Sequence, residues 1–245
     1  MSSIKAKAGT FRGMYRGIFG GGGIATTAVS PIWSDGFEAG DFTGYTEADL
    51  GSNLSVQAVV KKTGTYAAML EFDATTAATA THTLPTDYTE GTFIMNFLTT
   101  VVEDVDNESN YHQFGRVLTS ADVVLIGINA YSSASTPFDF TRINFQYLND
   151  AGTQFAGYQT VAPAINTWYE IRIYWKKATA PGANDGILRA WFDGVQKYNL
   201  TTIDNDTVGS INKVSIGHTG TGWLTDTGAY IYWDDLSFYN SLVAP

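Results

Sequence analysis

The chain contains no cysteine among its 245 residues, so no disulfide contributes to its stability and the redox compartment is left open. It is poor in charge, at 16 % Asp, Glu, Lys and Arg, and poorest in cations, with 14 against 24 acids. A net charge of −10 argues against nucleic acid as a partner, because phosphate binding wants a basic surface. No apolar run approaches the roughly 18–20 residues a membrane-spanning helix needs, so no membrane partner is expected. No long segment has helical periodicity. Neither a Gly-x-Ser-x-Gly elbow nor a phosphate-binding glycine loop occurs; Gly20–Gly23 lacks the Lys-Ser/Thr partner.

What is present favours strands. Aromatics make up 14 %, and Thr, Gly, Tyr, Val and Ile are plentiful. Between Trp168 and Lys176, Tyr169, Ile171, Ile173 and Trp175 alternate with Glu170, Arg172, Tyr174 and Lys176, the period of a half-buried strand. Leu188–Phe192 alternates likewise, and Asp193-Gly194 predicts a tight hairpin turn into Val195–Leu200. Phe93, Met95 and Phe97 share one face of a further strand. Thr141–Tyr147 sets Arg142, Asn144 and Gln146 against Ile143, Phe145 and Tyr147. Val123–Ile128 reads as a strand buried on both sides. Leu54–Val60 alternates as a strand. Ala/Thr-rich 75–83 reads as exposed, and 201–212 as a polar loop.

Residues 1–30 differ from the rest. Lys5, Lys7, Arg12 and Arg16 face no acid there, whereas Pro31–Pro245 carries 10 basic against 24 acidic residues. A basic start and the small-residue end Ala28-Val29-Ser30 permit a signal peptide. The four glycines and the late Arg16 fit an extended arm with a flexible hinge better. Such an arm orders only against another subunit. Two units follow: an arm at 1–30 and a β-sandwich at 31–245.

W-Y-E-I-R-I from Trp168, followed by D-G-I-L-R-A-W-F-D-G-V from Asp185, resembles the central meander of the concanavalin-A-like lectin/glucanase superfamily. Trp33–Phe42 contains D-G-F-E-A-G-D-F and resembles the opening of bacterial and phage jelly-roll modules that bind carbohydrate or calcium. Gly64–Leu70 resembles the strand that follows that opening, and Tyr230–Phe238, with W-D-D-L-S-F, resembles the closing strand. The resemblance implies an all-β antiparallel jelly-roll sandwich. It also implies that the opening and closing acids meet, with Glu38 and Asp235, supported by Asp234 and Asp35, holding a structural Ca²⁺. If the alternating strands share one sheet, Arg142, Asn144, Gln146, Arg172, Tyr174, Arg189 and Trp191, with Trp223 from a glycine-threonine loop, line a glycan-binding face.

Enzymatic signatures are incomplete. The glucanase pattern E-x-D-x-x-E begins at Glu71 and Asp73 but meets Thr76. Alginate-lyase-like motifs are missing. Tyr111, His112 and Arg116 form a possible lyase set, while His82 and His218 sit in loop-like sequence. The acidic run 103–110 lacks the EF-hand glycine and glutamate. The expectation is a non-catalytic virion-surface subunit of decoration or fibre type. Its arm would bind other virion subunits within a homo-oligomer, and its jelly roll would be directed at glycans. The alternatives are a secreted carbohydrate-binding module and a polysaccharide lyase or hydrolase.

Overall fold

The structure is a computed structural model; it describes residues 29–49, 53–71, 77–100, 111–133, 136–161, 163–218 and 230–245. Among these are fifteen strands and no helix. The first eight are β1 (Trp33–Asp35), β2 (Glu47–Asp49), β3 (Leu54–Gln57), β4 (Ala67–Glu71), β5 (Ala78–Tyr88), β6 (Glu90–Thr99), β7 (Tyr111–Leu118) and β8 (Val124–Ser133). The rest are β9 (Thr136–Asn149), β10 (Gly152–Thr160), β11 (Tyr169–Lys176), β12 (Gly186–Phe192), β13 (Val195–Ile203), β14 (Ile211–His218) and β15 (Tyr230–Tyr239). The N-terminal arm over 1–28 and the acidic run over 103–110 lie outside the described residues.

All pairings are antiparallel. One sheet runs β13-β12-β11-β6-β15-β4-β3, with β1 also on β15; the other runs β10-β9-β8-β7-β14-β5-β2. The alternating side chains explain the two layers. Ile171, Ile173 and Trp175 of β11 and Phe93, Met95 and Phe97 of β6 face inward from the first sheet. Ile126 and Ile128 of β8, Ile143 and Phe145 of β9, and Val214 and Ile216 of β14 face inward from the second. The Asp193-Gly194 turn takes positive φ at both residues (47° and 77°), which matches the twist of the strands it joins. The opening segment pairs with the closing one as the resemblance implies: Trp33 lies opposite Phe238 and Asp35 opposite Leu236.

Several local expectations change. Residues 78–83 belong to β5, with Ala78, Ala80 and Thr81 buried rather than exposed. His82 and His218 lie in strands, not loops: His82 stacks on Trp33 across the seam between sheets, at 4.4 Å, and its Nδ1 donates to the Gly44 carbonyl. The strand expected over 54–60 stops at Gln57. There the Gln57 amide accepts from the Val59 and Val60 N–H groups and donates to the Val60 carbonyl, turning the chain. The loop expected over 201–212 narrows to the stretch between Ile203 and Ile211.

Gly217 pairs with Thr79 at φ +103°, and a Cβ there would collide with the Ala78 carbonyl oxygen. Gly217→Ala should therefore cost about 2–3 kcal/mol. Urea unfolding should show a lower midpoint at unchanged slope; an unaltered midpoint would contradict this packing.

Candidate functional site

Two polar constellations stand out, one on each sheet. The first forms where β15 changes partners. Residues 230–233 pair with β4 and residues 236–238 with β1, and between them β15 bulges at Asp234–Asp235, with Asp235 at φ +47°. The loop between β3 and β4 folds onto this bulge. Lys62 and Thr63 N–H donate to Asp234 Oδ2 at 2.8 and 3.0 Å, and Asp235 N–H donates to Asp234 Oδ1 at 2.8 Å. Glu38 accepts from Thr65 N–H at 2.9 Å and from Tyr66 N–H at 3.3 Å, and Thr63 Oγ1 donates to Asp235 Oδ1. Lys62 Nζ bonds Asn96 Oδ1 at 2.6 Å and sits 3.9 Å from Asp235. Asp35 accepts from Phe37 N–H.

The expected calcium acids thus do meet: a Cβ on Gly36 would be 3.6 Å from both Asp234 Oδ1 and Asp235 Oδ1. They fit a cation only in part. Asp234 spends both oxygens on amides and Glu38 turns its carboxylate to the Thr65 amide, so backbone donors already offset the crowded charge. A second acidic trio forms where Asp204 and Asp206, in the loop the sequence showed only as polar, meet Asp150 of the turn between β9 and β10; one carboxylate oxygen of each lies within 4.8 Å of the others.

The second constellation lies on the outer face of the seven-stranded sheet. Facing residues pair in rows across the strands. Gln113 of β7 lies opposite Asn129 of β8, and Asn129 opposite Asn144 of β9. Gln113 Nε2 donates to Asn129 Oδ1 at 3.4 Å. Asn129 and Asn144 are only 1 % and 0 % exposed although they point away from the core. Among the described residues, neither the Asn129 Nδ2 nor either amide atom of Asn144 has a hydrogen-bond partner. Beside this row, Arg116 donates to Ser215 Oγ at 2.7 Å, and Thr81 Oγ1 donates to the same oxygen at 3.0 Å. Strands β7, β8, β10 and β14 contain no acidic residue, in a chain with 24.

The expected glycan face is therefore split. Arg142, Asn144 and Gln146 stand on β9 in the seven-stranded sheet; Arg172, Tyr174, Arg189 and Trp191 stand on β11 and β12 in the other. The latter four cannot share a face with the former, because β11 pairs with β6 rather than β9. They have structural employment instead. Arg172 bonds Glu170 and the Val243 carbonyl, the Tyr174 hydroxyl donates to Glu90, and Arg189 bonds Asn199. Tyr174 and Trp191 are buried. Burial, with the Glu90 carboxylate beside it, pushes the Tyr174 phenol up. Trp223, Asp73 and Thr76 and the side chains of Tyr111 and His112 lie outside the described residues. Sequence reasoning missed Gln113, Asn129, Thr81 and Ser215. The available signal was the run of strands without acids.

No protein-family model matches the chain, and no curated protein matches it. Solved structures do. It is similar to the endo-β-1,4-glucuronan lyase of the fungus Trichoderma reesei, at 14 % identity over 85 % of this chain and 95 % of that one, with a TM-score of 0.62. The cellulose-induced protein Cip1 matches at 14 % identity over 87 % and 99 %, with a TM-score of 0.60. The binding domain of botulinum neurotoxin serotype D matches at 10 % identity over 81 % of this chain and 44 % of that one, with a TM-score of 0.55. The fold is thus an all-β jelly-roll sandwich of concanavalin-A-like form.

Burial raises the Asp35 carboxyl above its ordinary value, more than the Phe37 N–H lowers it. An acid whose folded value is raised binds its proton more tightly when folded, so stability rises as pH falls through that value, and the penalty is present at neutral pH. Asp35→Asn keeps an acceptor for Phe37 and removes the buried charge. Denaturant titrations between about pH 7 and about pH 4 should show the variant's relative stability highest at the neutral end and shrinking on acidification. A difference independent of pH would show that the Asp35 charge is not penalised.

Proposed function

We propose that the outer face of the seven-stranded sheet binds a polysaccharide strand, neutral or uronate, without hydrolysing it. The carrying observation is an outward-facing polar row in which Gln113, Arg116 and Gln146 are half-buried and reach solvent, beside the buried amides of Asn129 and Asn144. Side-chain amides and a guanidinium in such a row suit sugar hydroxyls and uronate carboxylates. Arg116 adds a positive charge of fixed orientation, held by Ser215. Glycoside hydrolysis uses two carboxylates flanking the bond, and β7, β8, β10 and β14 supply none. The names of two fold neighbours, a glucuronan lyase and a cellulose-induced protein, add a carbohydrate context.

The Trichoderma lyase favours a second reading, uronate β-elimination, with Tyr111 or His112 as base and Arg116 offsetting the carboxylate. Two finer proposals accompany the first. A structural Ca²⁺ would be held by Glu38 and Asp235, with Asp234 and Asp35 as weaker ligands. The arm over 1–30, with four cations and no acid, would anchor the sandwich to neighbouring subunits of a virion, in a homo-oligomer. Export as a secreted binding module is the alternative location.

Calorimetric titration with oligouronates and cello-oligosaccharides should give saturable binding for at least one series. Gln146→Ala should weaken it about tenfold or more while leaving stability within about 0.5 kcal/mol, because that side chain is only half-buried. Failure of every oligosaccharide to bind would end this reading, and an unsaturated uronate product would replace it with the lyase. A chelator should lower the melting temperature, and Glu38→Gln with Asp235→Asn should remove that response; a melting curve indifferent to chelator ends the calcium proposal. Deleting residues 1–24 should leave a folded body that no longer joins its partners.

A further inference from the structure

The loop between β3 and β4 carries K-K-T-G from Lys61, two of the sandwich's 10 basic residues side by side. The two lysines part ways. Lys61 turns back, and its Nζ donates to the Ala58 carbonyl at 3.0 Å. Lys62 reaches inward over β6, where its Nζ donates to Asn96 Oδ1 at 2.6 Å and lies 3.9 Å from Asp235 Oδ2. Gly64 lets the loop close on the acids: its φ is +56°, and a Cβ there would collide with the Glu38 carboxylate.

The receiving groups are arranged for that ammonium. Asn96 is only 4 % exposed and stands opposite Asp234 on the neighbouring strand. Its Nδ2 donates to the Asp235 carbonyl at 3.2 Å, which leaves its Oδ1 for the loop. The acids beside it are met by other donors. Asp234 takes the N–H groups of Lys62, Thr63 and Asp235. Glu38 takes Thr65 N–H on both oxygens and Tyr66 N–H on one, and Asp235 Oδ1 takes the Thr63 hydroxyl at 2.7 Å. Of the carboxylate oxygens of Glu38, Asp234 and Asp235, Asp235 Oδ2 is the one with no amide or hydroxyl donor among the described residues, and it is the one that Lys62 faces. An amide oxygen and a carboxylate oxygen are the ligands of a hard metal ion. A lysine ammonium offers three donors and a positive charge to the same pair.

We propose that Lys62 is the resident cation of this acidic cluster: its ammonium holds the place a metal ion would take, and a divalent ion enters only by displacing it. The inference rests on the calcium proposal above for the identity of the incoming ion and goes beyond it in naming what stands there without one. The loop acts through its backbone and through this side chain separately. The Lys62 N–H stays on Asp234 whatever the side chain is, so exchanging the side chain leaves the amide donors in place and removes the charge alone.

Thermal melting of the full chain in chelator, and again over a calcium series, tests this with Lys62→Met and Lys62→Arg. Lys62→Met keeps the apolar stem and removes the charge. In chelator it should melt about 2–6 °C below the unmutated chain, because the buried Asn96 Oδ1 loses its donor, and Lys62→Arg should recover most of that loss. Calcium should then raise the Lys62→Met melting temperature at concentrations about tenfold lower than the unmutated chain needs. Equal melting of the two chains in chelator, or a calcium response at the same concentration in both, overturns the inference. If neither chain responds to calcium, the calcium proposal falls by itself, and a loss in chelator that Lys62→Arg repairs leaves Lys62 as the cluster's own cation.

Discussion

Among the described residues, aromatic pairs join the two sheets, and the rest of the fold is arranged around them. Phe97 of β6 meets Phe114 of β7 at 5.5 Å, Phe145 of β9 meets Tyr198 of β13 at 5.2 Å, and Tyr88 of β5 meets Phe238 of β15 at 5.3 Å. Each ring buries a large apolar area, and each pair bridges from one layer to the other, so together they fix which face of every strand is inner. Once Phe114 is inner, the outward set of β7 follows, and so does the chemistry available to a ligand. At the other edge Tyr198 contributes twice, through its ring to the core and through its hydroxyl to the β10 bulge.

Bulges then do what strict alternation could not. Gln113 and Arg116 are three residues apart and would point to opposite faces of a regular strand. The register shift between Gln113 and Gly115 absorbs one residue, so Gln113 pairs with Asn129 and Arg116 with Gly127 on the same side. A second shift lets Phe155 and Tyr158 take positions opposite Gln146 and Asn144, two residues apart on β9. The third, at Asp234–Asp235, opens β15 where it changes partner and makes the space into which the loop between β3 and β4 donates its amides.

This accounts for what was legible in the sequence. Period-two alternation located β11, β12 and β9, the Asp-Gly turn located a hairpin, and the likeness of the two termini to an opening and a closing strand placed β1 beside β15. All of these are local or rest on a single long-range pairing. Alternation says which residues of one strand share a face; it does not say which sheet the strand joins. Arg172 and Asn144 look equivalent in sequence, but β11 pairs with β6 and β9 with β8, so they end on different layers. Bulges hide in the same way, since Gln113 and Arg116 are out of phase along the chain. Asn129 was obscured by the apolar run before it, which reads as a strand buried on both sides.

The two polar constellations differ in how their buried groups are settled, and that difference separates architecture from function. Asp234 is buried and its carboxyl is raised by desolvation, yet both its oxygens are met by amide donors. It is a structural knot, complete without anything further. Among the described residues Trp175 and Trp233 also keep indole N–H groups without partners, but both belong to the core cluster, where a large apolar ring outweighs one lost hydrogen bond. Asn129 and Asn144 have no such compensation. Their side chains are small, they face away from the core, and an apolar residue of similar size would be cheaper in both places. An orphaned polar group inside a core is a packing cost. Asn129 and Asn144 carry that cost beside a row of half-buried groups, Gln113, Arg116 and Gln146, and it is this row that a ligand can reach.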